Sequence, residues 1–390
     1  MLTRMRTNQK RVGIIGGGQL ARMLIEAATP LDIDVAVLAA SAEDSAARVW
    51  PKVTIGSPED VETVAEFARK CDVITFDHEL VPEAVLARLE EDGACLAPSA
   101  DAMRIAQNKQ RQREMCAEAG LPQPVYRICR TQDEARTAAR EIGLPVMVKA
   151  AHGGYDGRGV WKADNDDGLD RVAQNCANRG IVMVIEACVP LERELAILVA
   201  RDVRGHMATY PVVETVQIDG ICRQVNMSRA HYRARTSGAA DIAAEIANRI
   251  QLTGILAVEL FESNGQLMIN EIATRPHNSG HYSIEAVATS QFEQHLRAIL
   301  GLPLGSTKLL AKAAVTVNVL GGTDAVDPRE RLLGALAMTG VNVHLYGKAA
   351  RPGRKLGHVT VIGPAVERCA DRAWKAVELL TNEPRPEGVR

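Results

Sequence analysis

The spacing of apolar residues divides the chain into strand-like runs and helical stretches. Val12-Gly13-Ile14-Ile15 is an apolar run too short for a helix and reads as a buried strand of the parallel type. It enters Gly16-Gly17-Gly18, then a helical pattern over 20–28 and a second strand over 34–38. A helix over 60–70 and a strand over 72–76 continue the alternation, so this part predicts a doubly wound α/β unit. Apolar runs at 145–150, 181–186 and 192–199 predict further strands, 210–225 reads as antiparallel, and 239–250 as a helix. Short runs at 314–320, 341–346 and 357–362 predict a small β-rich C-terminal part. The pattern divides at about Pro98 and Gly301, giving units 1–98, 99–300 and 301–390 in an α/β chain that is α+β overall.

Between the last helix and the C-terminal part lies GILAVELFESNGQLMINEIATRPHNSGH, residues 254–281. Two apolar runs rich in β-formers flank Ser263-Asn264-Gly265, a hairpin signal because Asn and Gly tolerate the positive φ of a tight reversal. Each run holds one acid, Glu259 and Glu271, and neither strand offers an adjacent Lys or Arg. Converging carboxylates with no cation beside them suit a hard dication such as Mg²⁺, which binds few protein carboxylates and leaves positions for phosphate oxygens. Register makes the idea testable. A plain two-residue turn pairs Glu259 with Asn270 and sends Glu271 to the other face, whereas an odd loop or a bulge sets the two acids opposite each other. The alternative is an exposed edge hairpin with two solvated acids.

Composition narrows the partners. Net charge is −2 and aromatics are 3% of residues, so neither a nucleic-acid surface nor a base-stacking platform is indicated. No apolar run nears the ~20 residues of a membrane span, and the start MLTRMRTNQKR lacks the apolar region of a secretory signal. The eight cysteines are scattered without a CxxC pair, which fits small apolar fillers in a reducing cytoplasm rather than a disulfide framework or zinc site.

Other stretches carry candidate chemistry. The Gly16–Gly18 turn points backbone amides at whatever sits on the following helix N-terminus, commonly a phosphate. Val37-Leu38-Ala39-Ala40-Ser41 lacks the ribose-binding acid of a dinucleotide site, so NAD is disfavoured. Asp77-His78-Glu79 lies at the carboxyl end of its strand, where open α/β sheets bind ligands, or is a solvated loop. Lys149 ends a strand just before His152-Gly153-Gly154-Tyr155-Asp156-Gly157-Arg158-Gly159-Val160, whose glycines allow a flap closing on phosphates or a plain hairpin. Arg275, His277, Asn278 and His281 crowd a loop directly after Glu271. Lys348-Ala349-Ala350-Arg351-Pro352-Gly353-Arg354-Lys355 is a Pro- and Gly-shaped cationic turn suited to a phosphate monoester, or a solvated turn.

Together these parts resemble the ATP-grasp ligases, with a Rossmann-like βαβ domain before the ATP-grasp domain. GIIGGGQLARM, TFDHELVP, KAAHGGYDGRGVW, NEIATRPHNSGHYSIEAVATSQFEQHLRAILGLPLG and YGKAARPGRKLGH resemble more closely the N5-carboxyaminoimidazole ribonucleotide synthetases of purine biosynthesis. That resemblance implies ATP with Mg²⁺ held by Glu259 and Glu271. It implies phosphate contacts from Lys109, Lys149 and the flap Gly154, Tyr155, Asp156, Gly157, Arg158, Gly159 and Val160. Glu186, Ala187, Cys188 and Val189 would frame adenine, Glu194 the ribose, and Gln217 and Asn270 would lie near the nucleotide. Gln19, Leu20, Glu79, Asn278, Lys348, Arg354 and Lys355 would hold 5-aminoimidazole ribonucleotide, Arg275 and His277 the bicarbonate-derived group, and Lys149 and Arg275 would be the catalytic cations for phosphoryl transfer. A cytoplasmic homodimer is implied, with no nucleic-acid or membrane partner. The chain departs from the usual pattern at Ala21 (commonly Gly), Asp77-His78 (Glu-Phe), Gln217 (His) and Thr274 (Pro). Ala273 stands where many ATP-grasp enzymes have a ligand Asn, a role open to Asn270.

Overall fold

The computed structural model describes residues 10–153 and 159–389. The first sheet holds β1 (Val12–Ile15), β2 (Val35–Ala39), β3 (Val53–Ile55) and β4 (Val73–Phe76), parallel and ordered β3-β2-β1-β4. Helices cover it, so β1 and β4 are buried along their whole length, as continuous apolar runs demand. Strand β3, a half-exposed edge of three residues, gave no apolar run to find.

The second sheet is antiparallel, with β5 (Tyr126–Cys129), β6 (Val146–Ala150), β7 (Val160–Ala163) and β8 (Met183–Ala187) in the order β5-β8-β6-β7. Pairing Met147 with Glu186 and Lys149 with Val184 makes Lys149 and Glu186 diagonal neighbours on one face. Helices Gln132–Ile142 and Asp166–Asn178 pack on this sheet through a core that includes Ala135, Val148 and Leu169.

The third sheet has nine strands: β9 (Arg193–Arg201), β10 (Met207–Thr209), β11 (Val213–Ile218), β12 (Ile221–Ser228), β13 (Gly254–Ser263), β14 (Gln266–Ala273), β15 (Ala313–Leu320), β16 (Val341–Leu345) and β17 (Lys355–Gly363). Its path is β14-β13-β9-β11-β12-β15-β17-β16, with β10 pairing β9. The C-terminal strands are thus not a sheet of their own. Strand β15 pairs with β12, giving that strand a second partner that shields its unpaired edge. A helix the apolar pattern did not reveal, Val366–Thr381, covers these strands, burying Trp374, whose indole N–H donates to Gln224 Oε1 at 2.5 Å. The helix anticipated at 239–250 begins ten residues earlier, at Arg229.

Candidate functional site

The hairpin resolves its own register question. Strands β13 and β14 turn through Asn264 and Gly265, at φ 50° and 71°, the two positive values that a tight primed turn requires. With Ser263 opposite Gln266, such a turn alone would place Glu259 opposite Asn270. Instead the register shifts between Glu259 and Leu260: Leu260 pairs Ile269 and Glu259 pairs Glu271, leaving Asn270 as the extra residue of a bulge. Both acids therefore face the same side, as the metal reading requires.

A cation does lie beside them, contrary to the expectation from the two strands alone, because it comes from a helix. Lys109, first residue of the helix Lys109–Glu118, reaches Glu271 Oε1 at 2.5 Å. Asn270 Nδ2 donates to Glu259 Oε2 at 3.2 Å, and its Oδ1 accepts from Lys149 Nζ at 2.9 Å. Lys149 also contacts Glu186 Oε2 at 2.8 Å, and Arg113 takes Glu186 Oε1 at 2.7 Å. Burial alone would raise the Glu186 carboxyl, but Lys149 and Arg113 outweigh it and hold it at about 2. Burial lowers the Lys149 ammonium from its ordinary value, and the Glu186 carboxylate opposes that shift. The Glu186 side chain is thereby committed to two cations, and the next residue's amide, Ala187 N–H, donates to Val125 O.

Arg113 had no signal in the sequence beyond its place in a polar helix. It is 2% exposed, and besides Glu186 it donates to Ile269 O at 3.1 Å and Asn270 O at 2.8 Å. Gln112 beside it accepts from Ile272 N–H at 3.1 Å. The outer edge of β14, which ends the sheet, is thus covered by this helix and the segment after it, where Pro122 O accepts from Ile269 N–H at 2.8 Å.

Burial, Glu271 and Glu194 push the Glu259 carboxyl up to about 7. His277 stays neutral, lowered to about 3 by burial and by Arg275 and Lys355. Its Nδ1 accepts from Ser279 N–H, which puts its proton on Nε2, 3.5 Å from Glu259 Oε1. Among the described residues no group of three or more His, Cys, Asp or Glu forms a metal cluster. Two facing carboxylates of this kind do not make a closed structural site, but they suit Mg²⁺, which takes one or two carboxylates and completes its shell with water and phosphate oxygens. A divalent cation between them would also add to the counter-charge that Lys109 brings to Glu259.

The glycine turn is tethered from within the protein. Its amides at Gly18 and Ala21 donate to the Asp77 carboxylate at 2.5 and 2.9 Å, so a side chain of the protein takes two of the amides at the helix N-terminus. Nor is Asp77 solvated; it is 8% exposed. Gln19 and Leu20 lie between the two tethered amides. Lys348 Nζ hydrogen-bonds Gln19 Oε1, bringing the cationic turn 348–355 to the first domain. That turn is braced by Arg354 Nη1 on Ala349 O at 3.1 Å, and Lys355 opens β17. Across the way, Arg275 Nε meets Glu79 Oε2 at 2.5 Å, while Glu79 Oε1 and Asn278 Nδ2 are buried with no hydrogen-bond partner among the described residues, as acceptor and donor left for a ligand would be.

Of the other expected residues, Glu194 lies half-buried opposite Phe261 and is raised by burial. Val160 pairs with Lys149, and Gly159 O accepts from Ala150 N–H. Cys188 and Val189 follow β8 and are half-buried. Gln217 sits at a register shift in β11, past Thr215, where that strand's pairing with β9 ends, and none of the described hydrogen bonds joins it to the carboxylates. Gly154, Tyr155, Asp156, Gly157 and Arg158 lie outside the described residues.

Three family models match in sequence order: the ribonucleotide synthetase preATP-grasp domain over residues 9–107, the ATP-grasp domain over 114–292, and the phosphoribosylaminoimidazole carboxylase C-terminal domain over 314–372. An N5-carboxyaminoimidazole ribonucleotide synthase of Mycobacterium tuberculosis is 44% identical over 95% of this chain and 88% of its own length. The chain belongs to the N5-carboxyaminoimidazole ribonucleotide synthase family. A Synechococcus elongatus synthase of this family is 38% identical over 90% of the chain and 89% of its own length. Among solved members, an ADP complex superposes with a TM-score of 0.85 at 34% identity, over 95% of this chain and 97% of that one. The synthase of Aspergillus clavatus, in complex with ADP and 5-aminoimidazole ribonucleotide, gives 0.84 at 32% identity, over 96% and 99%.

Proposed function

We propose that this chain is an ATP-dependent carbon–nitrogen ligase that carboxylates 5-aminoimidazole ribonucleotide to N5-carboxyaminoimidazole ribonucleotide in de novo purine biosynthesis, releasing ADP and phosphate. The observation that carries the reading is the bulged hairpin, which turns Glu259 and Glu271 to one side beside Lys109 and Lys149. Phosphoryl transfer from ATP to bicarbonate spreads negative charge, and the two lysines provide fixed positive charge there. Mg²⁺ held by Glu259 and Glu271 would neutralise phosphate charge when bound. The carboxyphosphate formed is captured by the exocyclic amine, either directly or as freed CO₂: an N–C bond forms, the bond from the carboxyl carbon to the phosphate oxygen breaks, and phosphate leaves and takes up the proton the amine loses. The amine is already nucleophilic, so no strong base is required.

Arg275, fixed by Glu79, and neutral His277 are assigned to the bicarbonate-derived group. Gln19, Leu20, Glu79, Asn278, Lys348, Arg354 and Lys355 are assigned to the ribonucleotide. The unpartnered atoms of Glu79 and Asn278 support that assignment, as does the bond joining Lys348 to Gln19. Glu186–Val189 and Glu194 remain assigned to the nucleoside, and Gln217 beside it. The proposal includes a cytoplasmic homodimer. Eight free cysteines accord with a reducing compartment, and light scattering of the purified protein tests the dimer.

The deciding assay is phosphate release from ATP. Release that requires both bicarbonate and 5-aminoimidazole ribonucleotide supports the proposal. Release that responds instead to formate and glycinamide ribonucleotide would make this a formyl-transferring relative, and no dependence on either pair would leave a nucleotide-binding protein without turnover.

A further inference from the structure

Arg113 has no part in the roles assigned above, yet it is among the largest fully buried side chains of the molecule. Its three partners lie on two different strands. Nη1 and Nη2 donate to the consecutive carbonyls Ile269 O and Asn270 O on β14, and Nε donates to Glu186 on β8. Successive carbonyls of a regular strand point to opposite sides, so one guanidinium cannot take both. It can do so here because Asn270 is the extra residue of the bulge. The contact therefore favours the bulged register over the regular one. In the regular register Glu259 would face Asn270, and Glu271 would turn to the other side of the sheet.

We propose that Arg113 is a positioning residue for the divalent cation: it holds the β14 bulge in the register that lets Glu259 and Glu271 share one ion. The same guanidinium steadies Lys149 through Glu186, so a single side chain couples the carboxylate pair to the phosphate-binding lysine. This rests on the reading of the site as one for Mg²⁺ and ATP.

Arg113→Lys separates the two functions. A lysine keeps a cation for Glu186, but its single ammonium lacks the planar fork that reaches both carbonyls. Calorimetric titration of the variant with ATP, with and without Mg²⁺, reads the effect without turnover. The expected result is metal-free affinity near wild type, with affinity for ATP in the presence of Mg²⁺ reduced about tenfold or more, and near-ultraviolet circular dichroism unchanged. Arg113→Gln, which removes the charge as well, should lose affinity in both titrations. Wild-type affinity for ATP with Mg²⁺ in Arg113→Lys overturns the proposal, and so does an equal loss with and without the metal. A wild-type protein that binds ATP more tightly with Mg²⁺ but shows no substrate-dependent phosphate release overturns the proposed reaction and leaves this test standing. A wild type indifferent to Mg²⁺ overturns the metal site itself.

Discussion

Truncating Asp77 measures how far the protein itself, rather than a ligand, holds the glycine turn. The carboxylate accepts Gly18 N–H at 2.5 Å and Ala21 N–H at 2.9 Å, at the start of the helix Gln19–Ala28, which has no side-chain cap from its own N-cap residue, Gly18. Bonds to a charged group contribute about 1.5–3 kcal/mol each, and a charge on a helix N-terminus adds a fraction of that. Ala21 is fully buried, so Asp77→Ala strands at least one amide away from water, while an entering water can replace the other bond. The net expectation is a loss of about 3 kcal/mol in urea unfolding. Asp77→Asn is the sharper variant, because its amide group must oppose one of the two donors; about 2 kcal/mol is expected. Both variants should raise KM for 5-aminoimidazole ribonucleotide more than they lower kcat, since Gln19 and Leu20 are the residues between the tethered amides. Inorganic phosphate should stabilise Asp77→Ala by occupying the vacated N-terminus, and should leave the wild type unchanged there. An Asp77→Asn protein within about 0.5 kcal/mol of wild type, the ordinary range for an inconsequential substitution, with an unchanged KM, would refute this account.

Glu271→Ala should reduce substrate-dependent phosphate release on the order of 100-fold. Its circular dichroism should not change, because that carboxylate is 39% exposed and supports no core; near-normal turnover would remove Glu271 from the metal site. Acid should destabilise the protein through buried neutral histidines. His295 is lowered from 6.5 to about 4 by burial, and its Nδ1 accepts Ile255 N–H, a bond that protonation would end. The unfolded chain therefore binds more protons, so the stability is complete above pH 6.5 and is lost as pH falls toward 4, by about 3 kcal/mol for this residue. His281 and His358 are lowered in the same direction, and His295→Gln should flatten the urea-derived pH profile over that window. Trp374→Phe removes the indole bond to buried Gln224 and should cost about 1–2 kcal/mol with unchanged kcat and KM, as measured by urea unfolding and steady-state kinetics.

The parts of the fold that were legible in the sequence are those with one-dimensional signatures. Buried runs such as Val12–Ile15 and Val73–Phe76 emerged as strands because they are covered on both faces. The edge strand β3 did not, because partial exposure erased the contrast on which the pattern depends. The helix Val366–Thr381 was legible in principle, since its buried residues Cys369, Ala370, Ala373, Trp374, Val377 and Leu380 recur at helical spacing, but small Ala and Cys positions weaken that stripe. That the C-terminal strands extend the central sheet was not legible, because pairing between β12 and β15 joins residues about ninety positions apart, with no mark of it at either one.

The candidate site divides along the same line. Glu259 and Glu271 were detectable because an acid inside an apolar run is costly unless something offsets it, and that cost is visible in one dimension. Arg113 and Asp77 carry the same kind of cost, yet Arg113 sits among polar residues in the chain and Asp77 stood out only as a possible ligand contact or a solvated loop; folding takes both out of water. Most of their partners are backbone groups, two carbonyls for Arg113 beside Glu186 and two amides for Asp77, and backbone carries no residue-type signal. The sequence therefore announces the side chains suited to meet the substrate and conceals those that hold them in place. A variant chosen by motif alone would probe the first group. The bulge and the glycine turn show that the site's geometry rests equally on the second.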